Sequence, residues 1–188
     1  MSRPQKVMLD PGHGGLEPGA IAAFPNVVEK DINLNIAKLC RRYVKRGDFL
    51  YRPYMTRSRD RTLSLVDRVK KSIKKDVDAF VSFHCNSWSD PEVEGVEVYF
   101  KPGSVLSRHL AQNVHDELLA NMPGHKDRGV KPGNYYVIRE NEEPAILIEF
   151  EFLSNPMTAA YLFDADNQRM LAKCVGDAIE YFLESAWI

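Results

Sequence analysis

Two histidines and two glutamates in this chain have the side chains needed for hydrolytic chemistry at a metal ion. His13 follows a short apolar segment in a glycine-rich turn, and His84 lies near the end of the apolar segment DAFVSFHC. Glu149 lies within AILIEFEF, and Glu29 opens a segment with helical spacing. Two imidazoles and one carboxylate form a donor set that binds zinc at catalytic sites and leaves a fourth position for water. Their spacings match no local metal-binding signature, so spacing alone leaves a metal site open.

Each of these residues also has a simpler explanation. His13 can be an ordinary turn residue, because the preceding Asp-Pro-Gly is common turn chemistry. His84 can be a hydrogen-bonded histidine of the core, and Glu29 can be an acidic residue that interacts favourably with a helix dipole. Glu149 is harder to explain in this way. A carboxylate among Ile, Leu and Phe is costly to bury unless it is paired, hydrogen-bonded or close to a cation.

A second carboxylate, Glu151, follows Glu149 at a spacing of two residues. On a regular strand, both side chains point to the same face of the sheet. Two neighbouring carboxylates, one of them partly desolvated, tend to raise a pKa towards the range that a general acid or base requires. The alternative is that one of the two faces solvent beyond the end of the strand, and the pattern leaves both open.

The elements that would position these residues alternate between two periodicities. Apolar or alternating segments predict strands at residues 6–9, 49–56, 78–85, 95–100, 135–138 and 145–152. Helical spacing predicts helices at residues 31–47, 63–73, 105–121 and 167–183. We interpret the breaker-rich segment 123–133 as a loop inside the domain. This order predicts a single α/β domain over residues 1–188, with a mostly parallel sheet covered by helices on both faces. Reactive groups then gather at the carboxyl ends of the strands.

Composition excludes several classes of protein. The 188 residues carry 25 Lys and Arg against 26 Asp and Glu, so there is no electrostatic case for general nucleic-acid binding. The three cysteines are far apart and form no disulfide framework, and Cys85 should face the core, away from its neighbour His84. No apolar run approaches the ~18 residues of a membrane span. No signal peptide is visible either, so we expect a protein that is cytoplasmic until release, or an exported one whose signal has been trimmed.

Several motifs together resemble a known family. In chain order they are VMLDPGHGG-LEPGA, VVEKDINLNIA, MTRSRDRTLSLVDR, AFVSFHCNS, GVEVYF, DRGVK and PAILIEFEFLSN. They are similar to the motifs of the zinc-dependent N-acetylmuramoyl-L-alanine amidases of type 3, and they run from residue 7 to 155 in that family's order. The resemblance implies a six-stranded α/β sheet with flanking helices, which agrees with the fold class predicted from the periodicities.

The resemblance also implies a chemistry and a set of site residues. Carried over motif by motif, His13, Glu29 and His84 are the expected zinc ligands, and Glu149 is the expected catalytic carboxylate. The expected substrate is peptidoglycan or a muropeptide. The bond cleaved is the amide between the lactyl group of N-acetylmuramic acid and L-alanine of the stem peptide. Zinc is the expected cofactor.

Four other residues bear on this expectation. Arg128 is a candidate donor to the oxyanion, and Asn86 either orients a ligand or caps its strand. Glu17 stands where the family usually has Asp, and Glu151 where it commonly has Gly. If Glu151 lies near the zinc, its charge should shift the pH optimum or bind an additional cation.

The sequence also bears on partners and on competing functions. We see no surplus segment that could plug the zinc site, so no obligatory protein activator is expected. We also expect no room for an appended wall-binding module. The setting would be a phage lysis enzyme, a recycling enzyme or a trimmed catalytic domain. One alternative is a wall-binding module without catalysis, against which the complete set of site residues argues. Another is a phosphate-binding protein that uses the glycine-rich turn, which lacks the G-K-[ST] of a phosphate loop.

Overall fold

The computed structural model describes residues 3–22, 27–46 and 51–185, which form one α/β domain around a six-stranded sheet of order β2-β1-β3-β6-β4-β5. The strands are β1 Gln5–Pro11, β2 Tyr51–Met55, β3 Ala79–Asn86, β4 Val96–Phe100, β5 Asp127–Pro132 and β6 Ala145–Phe152. The helices are α1 Glu29–Arg46, α2 Leu65–Lys75, α3 Val105–Asn121, α4 Tyr136–Arg139, α5 Pro156–Phe163 and α6 Ala165–Ser185. All neighbouring strands are parallel except β4 and β6, which confirms the predicted mostly parallel sheet.

Helices cover both faces of the sheet, as predicted. Strand alternation sends Val7 and Leu9 of β1 into the larger core cluster and Met8 into the smaller one. The larger cluster lies beneath α1, α3 and α6, whereas α2 and α4 pack together on the opposite face. Within the described ranges, no helix combines the length and apolarity that crossing a membrane requires.

Two elements differ from the prediction. Residues 135–138 were expected to be extended because of their aromatic and β-branched composition, but Tyr136–Arg139 is a single helical turn. This turn buries Val137 and Ile138 against the sheet, so tertiary packing overrides the local preference for a strand. The segment 123–133, expected to be a loop, contains the edge strand β5. An edge strand tolerates the Gly and Pro that made this segment look irregular.

The region after β6 contains one more helix than predicted. Asn155 caps α5 by accepting a hydrogen bond from the backbone N–H of Met157 at 2.9 Å, and Pro156 occupies the first turn. Both are standard signals for the start of a helix. The end of the first helix predicted at Gly47, and residues 49–50 of the predicted second strand, lie outside the described residues.

The pairing of the central strands sets the geometry of the site. His84 of β3 is the register partner of Glu149 in β6, and Glu149 is in turn the partner of Glu97 in β4. Just beyond this row the register shifts, so that Asn86 pairs with Phe152. Two steps along β3 therefore match three along β6, and β6 carries a β-bulge. Because β4 is antiparallel to β6, its first residues meet the carboxyl ends of β1, β3 and β6 at one edge.

Candidate active site

The structure brings together three of the four site residues expected from the sequence. Nε2 of His13 lies 3.1 Å from Oε2 of Glu29, and Nδ1 of His84 lies 2.9 Å from Oε1 of the same carboxylate. The two imidazole rings meet edge to face with centroids 5.0 Å apart. One ligand atom from each residue lies within 4.8 Å of the others. This is a compact donor set at the carboxyl ends of β1 and β3, completed by the first residue of α1.

Two glycines make this approach possible. A Cβ at Gly12 would overlap the His84 imidazole, and a Cβ at Gly19 would overlap the Glu29 carboxylate. His13 itself adopts a left-handed backbone conformation with φ 57°, which is uncommon for a residue with a side chain. The backbone conformation of the DPGHGG turn therefore places the His13 side chain next to Glu29 and His84.

Glu29 is held by its surroundings as well as by the two histidines. Its carboxylate accepts hydrogen bonds from the backbone N–H of Ala20 at 2.9 Å and of Cys85 at 3.1 Å, and from the Asn33 side chain at 3.0 Å. Burial alone would raise the pKa of Glu29, but the hydrogen bonds from the histidines outweigh it and hold the pKa below its ordinary range. The side chain is thus an anion fixed in one orientation. Cys85 is buried in the core on the side predicted.

Two buried arginines, to which sequence reasoning assigned no role, fix the turn that carries His13. Arg68 pairs with Asp10 at 2.8 Å and donates to the backbone carbonyls of Pro11 and His13, both at 2.7 Å. Arg57 donates to carbonyls of the same turn and to one in the first turn of α1. Both residues belong to motifs of the family resemblance. Their burial could not be read from a segment that looks like a basic, solvated helix.

Glu149 lies beside His84 in the sheet, as their register shows. The residue is only 9% exposed, and its Oε2 atom is buried without a hydrogen-bond partner among the described residues. Burial raises the pKa of Glu149 well above its ordinary value, and the nearby charges of Glu29 and Glu97 act in the same direction. A carboxyl group in this environment can exchange a proton with a reactant near neutral pH.

Glu97 is a site residue that the sequence analysis missed. It is 2% exposed and lies across the sheet from Glu149. Its carboxylate accepts hydrogen bonds from four side chains, Asn86, Tyr99, Arg128 and Lys131. Asn86 therefore orients another site residue, besides accepting a hydrogen bond at the strand end from the backbone N–H of Ser87.

Glu151 does not join this group, and neither of the two alternatives left open by the sequence describes it, because its side chain is fully buried and its carboxylate is bonded elsewhere. Its carboxylate accepts a hydrogen bond from the backbone N–H of Gly95 at 2.6 Å and pairs with Nδ1 of His125 at 2.8 Å. The His125 ring lies 4.3 Å from the ring of Tyr161 in α5. A shared face requires a regular strand, and the β-bulge in β6 lies between Glu149 and Phe152, a stretch that contains Glu151.

A cavity of about 280 Å³ opens beside the histidines. His13, His84 and Gly12 contribute to one wall, and Leu65 and Tyr135 to another. Glu17, which stands where the family usually has the shorter Asp, also lines this cavity. It is exposed, so its side chain lies at the rim. The imidazoles retain 31% and 18% side-chain exposure, so a bound ion there would be open to a substrate.

Two histidines and a glutamate at the edge of an α/β sheet, with a buried carboxylate alongside, have the composition of a catalytic site in a metal-dependent hydrolase. Comparison with known proteins identifies the family. The chain belongs to the N-acetylmuramoyl-L-alanine amidase family, whose sequence profile matches residues 7–181. The resemblance drawn from the motifs is thereby confirmed.

Individual relatives agree with this assignment. The chain is 33% identical over 181 residues to the N-acetylmuramoyl-L-alanine amidase LytC of Bacillus subtilis, covering 95% of this chain but only 36% of LytC. An N-acetylmuramoyl-L-alanine amidase of Clostridium difficile 630 has a similar structure, with a TM-score of 0.93 and 31% identity over 98% of this chain and 99% of that one. The CwlD amidase of Clostridioides difficile, solved in complex with the GerS lipoprotein, has a TM-score of 0.85 at 26% identity, over 96% and 98% of the two chains.

Proposed function

We propose that the protein is a zinc-dependent N-acetylmuramoyl-L-alanine amidase that acts on peptidoglycan of the cell wall. It would hydrolyse the amide bond between the lactyl group of N-acetylmuramic acid and L-alanine of the stem peptide. The observation that carries the proposal is the position of Glu149. This buried carboxyl group, with one oxygen lacking a partner among the described residues, stands directly beside a cluster of His13, Glu29 and His84.

The residues present fit a zinc ion. His13, Glu29 and His84 offer two imidazole nitrogens and one carboxylate oxygen, a set found at catalytic zinc sites. Gly12 and Gly19 leave room for the close approach of these side chains, and the cavity would give a substrate access to an ion held by them. Zinc in such a site polarises a carbonyl group and makes water more acidic.

Glu149 would move the proton. As a general base it takes a proton from the attacking water, and as a general acid it returns that proton to the nitrogen of the departing L-alanine. The raised pKa of Glu149 suits the second half of this task, because the group must hold the proton until the C–N bond breaks. Arg128 donates to Glu97 rather than standing free, so we assign it no part in stabilising the oxyanion.

We propose further that the described domain is active without a protein activator. Both imidazoles are partly exposed, and no segment of the described residues fills the cavity beside them. The similarity to CwlD, solved with the GerS lipoprotein, makes this a point for experiment. An assay of amidase activity with the isolated chain, without any added protein, is the experiment that tests it.

The test is mass spectrometry of purified peptidoglycan digested by the zinc-loaded protein, by chelator-treated protein and by the Glu149→Gln variant. We expect stem peptides beginning with L-alanine and glycans with intact lactyl carboxylates. Release should be lost with chelator, restored by zinc, and reduced by about 10²–10⁴-fold in the variant. The variant should still bind zinc, which separates loss of the base from loss of the metal.

Three results would contradict the proposal. Products cut at another bond would exclude this activity, and activity that survives complete zinc removal would exclude the cofactor. No product from either peptidoglycan or soluble muropeptides would instead favour a wall-binding module, which a pull-down with insoluble peptidoglycan would detect. Turnover that requires an added partner protein would overturn only the statement about activators.

A further inference from the structure

On the side of Glu149 away from His84, a buried carboxylate holds two cations. Oε2 of Glu97 lies 3.1 Å from Nε of Arg128 and 2.6 Å from Nζ of Lys131. The Glu97 side chain is 2% exposed, whereas those of Arg128 and Lys131 are 28% and 40% exposed. Two positive charges against one negative charge leave this group with one net positive charge. The cationic side faces solvent and the anionic side is buried.

The two cations are fixed by packing as well as by charge. The Arg128 guanidinium lies 5.0 Å from the centre of the Phe152 ring, and its methylene stem passes over Gly95, where a Cβ would overlap it. The Lys131 ammonium lies 6.0 Å from the centre of the Tyr99 ring. A preorganised pair of this kind binds an anion at a lower entropic cost than two mobile surface side chains do.

Arg128 keeps donors for a ligand. It reaches Glu97 through Nε, and within the described ranges neither of its Nη groups donates a hydrogen bond. A guanidinium presents its N–H groups in a fixed fork that matches the two oxygens of a carboxylate. Lys131 adds an ammonium group with three protons beside it. The pair therefore has the chemistry of a carboxylate-binding subsite.

The distance to the proposed metal centre suits a peptide. His84, Glu149 and Glu97 lie side by side on neighbouring strands, and strands are about 4.8 Å apart, so Glu97 lies roughly 10 Å from His84 across the sheet. An extended peptide advances about 3.5 Å per residue. A carboxylate two or three residues beyond the scissile amide therefore reaches the cation pair.

We propose that Arg128 and Lys131 form a subsite for a carboxylate of the stem peptide, with Glu97 as the residue that positions them. The inference rests on the proposed amidase function and adds the direction in which the substrate lies. N-acetylated sugars are uncharged, and the lactyl carboxylate is consumed in the scissile amide. The remaining carboxylates belong to the stem peptide, among them that of its second residue, D-glutamate, and that of its C-terminus. The peptide would thus cross β6 towards β4 and β5.

The test compares hydrolysis of synthetic muramoyl tripeptides by the zinc-loaded protein. One substrate has both carboxylates, one has the glutamate carboxylate converted to an amide, and one has the C-terminal carboxylate converted to an amide. We expect one amidation to lower kcat/KM by about tenfold, mainly through KM, since a hydrogen bond to a charged group contributes an effect of this size. The amidation that does so identifies which carboxylate is bound.

Substitutions assign the effect to residues. Arg128→Gln and Lys131→Gln should each lose most of the discrimination between carboxylate and amide that the wild-type protein shows, measured as the ratio of kcat/KM on the two substrates. Lys126→Gln removes a positive charge from the exposed residue just before β5 and should keep the full discrimination. Thermal unfolding of each variant checks that the domain is intact.

The results separate the two proposals. Equal kcat/KM of the wild-type protein on all three substrates would overturn the subsite and leave the amidase function standing. A loss of activity by the Arg128 and Lys131 variants that is equal on all substrates would show a structural role only, and would also overturn it. Failure of the wild-type protein on every substrate and on peptidoglycan would overturn the amidase function, and the subsite with it.

Discussion

The buried ion pair between Arg68 and Asp10 makes a quantitative prediction about the turn that carries His13. The two side chains are 2% and 1% exposed, and the pair is joined at 2.8 Å. Arg68→Met keeps most of the volume but leaves the Asp10 carboxylate without its charge partner and removes two donors from the turn. Breaking a buried pair in this way costs about 3–5 kcal/mol. Two hydroxyls still donate to Asp10, so we expect a value near 3 kcal/mol.

The same substitution should weaken metal binding at the proposed zinc site. Arg68 donates to the backbone carbonyl of His13, and loss of a group that orients a metal ligand typically lowers metal affinity by about 10–100-fold. Urea unfolding of the zinc-free protein, followed by circular dichroism, measures the first effect, and competition with a zinc chelator measures the second. Arg59→Met, at an exposed position in the same segment, should stay within about 0.5 kcal/mol of the wild-type protein. A loss below about 1 kcal/mol in Arg68→Met, with full zinc affinity, would refute the reasoning.

Three further predictions concern the same edge of the sheet. Gly12→Ala should weaken zinc binding in the same chelator competition, because the added Cβ would overlap the His84 ring. The control is Gly124→Ala, which should leave zinc binding unchanged, because the added Cβ would lie more than 4 Å from every residue except its chain neighbours. Burial raises the pKa of Glu29, but the hydrogen bonds with the histidines outweigh burial and hold the pKa below its ordinary value of 4.5. The ionised Glu29 carboxylate therefore stabilises the zinc-free protein above about pH 4.5, and this stabilisation is lost as the pH falls and the carboxylate is protonated. Glu29→Gln should therefore be more destabilising at pH 7 than at pH 3 in urea unfolding, and an equal loss at both would contradict this. Glu151→Gly should lower the melting temperature, because it removes the hydrogen bonds of the carboxylate to Gly95 and His125. It should leave the pH–rate profile unchanged, because these partners lie outside the candidate site, and a shifted profile would contradict this prediction.

Much of the fold could be predicted because its central elements are strongly patterned. The limits of β6 and α3 coincide with the predicted ranges, since one is a continuous apolar run and the other has clear helical spacing between a serine cap and a proline. The edge strand β5 was missed because its pairing comes from β4, far from it in sequence. Local composition in that segment indicates only a loop.

Only part of the candidate site could be predicted from the sequence. Glu149 was singled out by the cost of burying a carboxylate, and the structure shows it buried. His13, Glu29 and His84 could be joined only through the order of the family motifs, because residues so distant in sequence have no local signature. Glu97 escaped notice, since a single acid in VEVYF reads as the solvent-facing position of an alternating strand. Its burial depends on partners from two other strands, Asn86 of β3 and the Arg128 and Lys131 side chains of β5.

The sequence could not decide the position of Glu151, for a specific reason. The argument that residues two apart share a face holds only while the strand is regular, and whether a strand is regular depends on its partner. The extra residue in β6 appears only when the register with β3 is known. A sequence pattern of two acids in one strand therefore cannot distinguish a catalytic pair from two carboxylates with separate tasks.

Because β4 runs antiparallel to β6, sequence changes beside the candidate site can occur in segments other than those that hold the proposed metal ligands. The segments that end β1 and β3 and begin α1 hold the proposed metal ligands, whereas those that precede β4 and β5 border the same edge from the other side. Residues 87–95 and 122–126 can therefore change in length and charge without altering the segments that carry His13, Glu29 and His84. A fold arranged in this way can acquire a preference for a different substrate while its proposed catalytic residues stay constant.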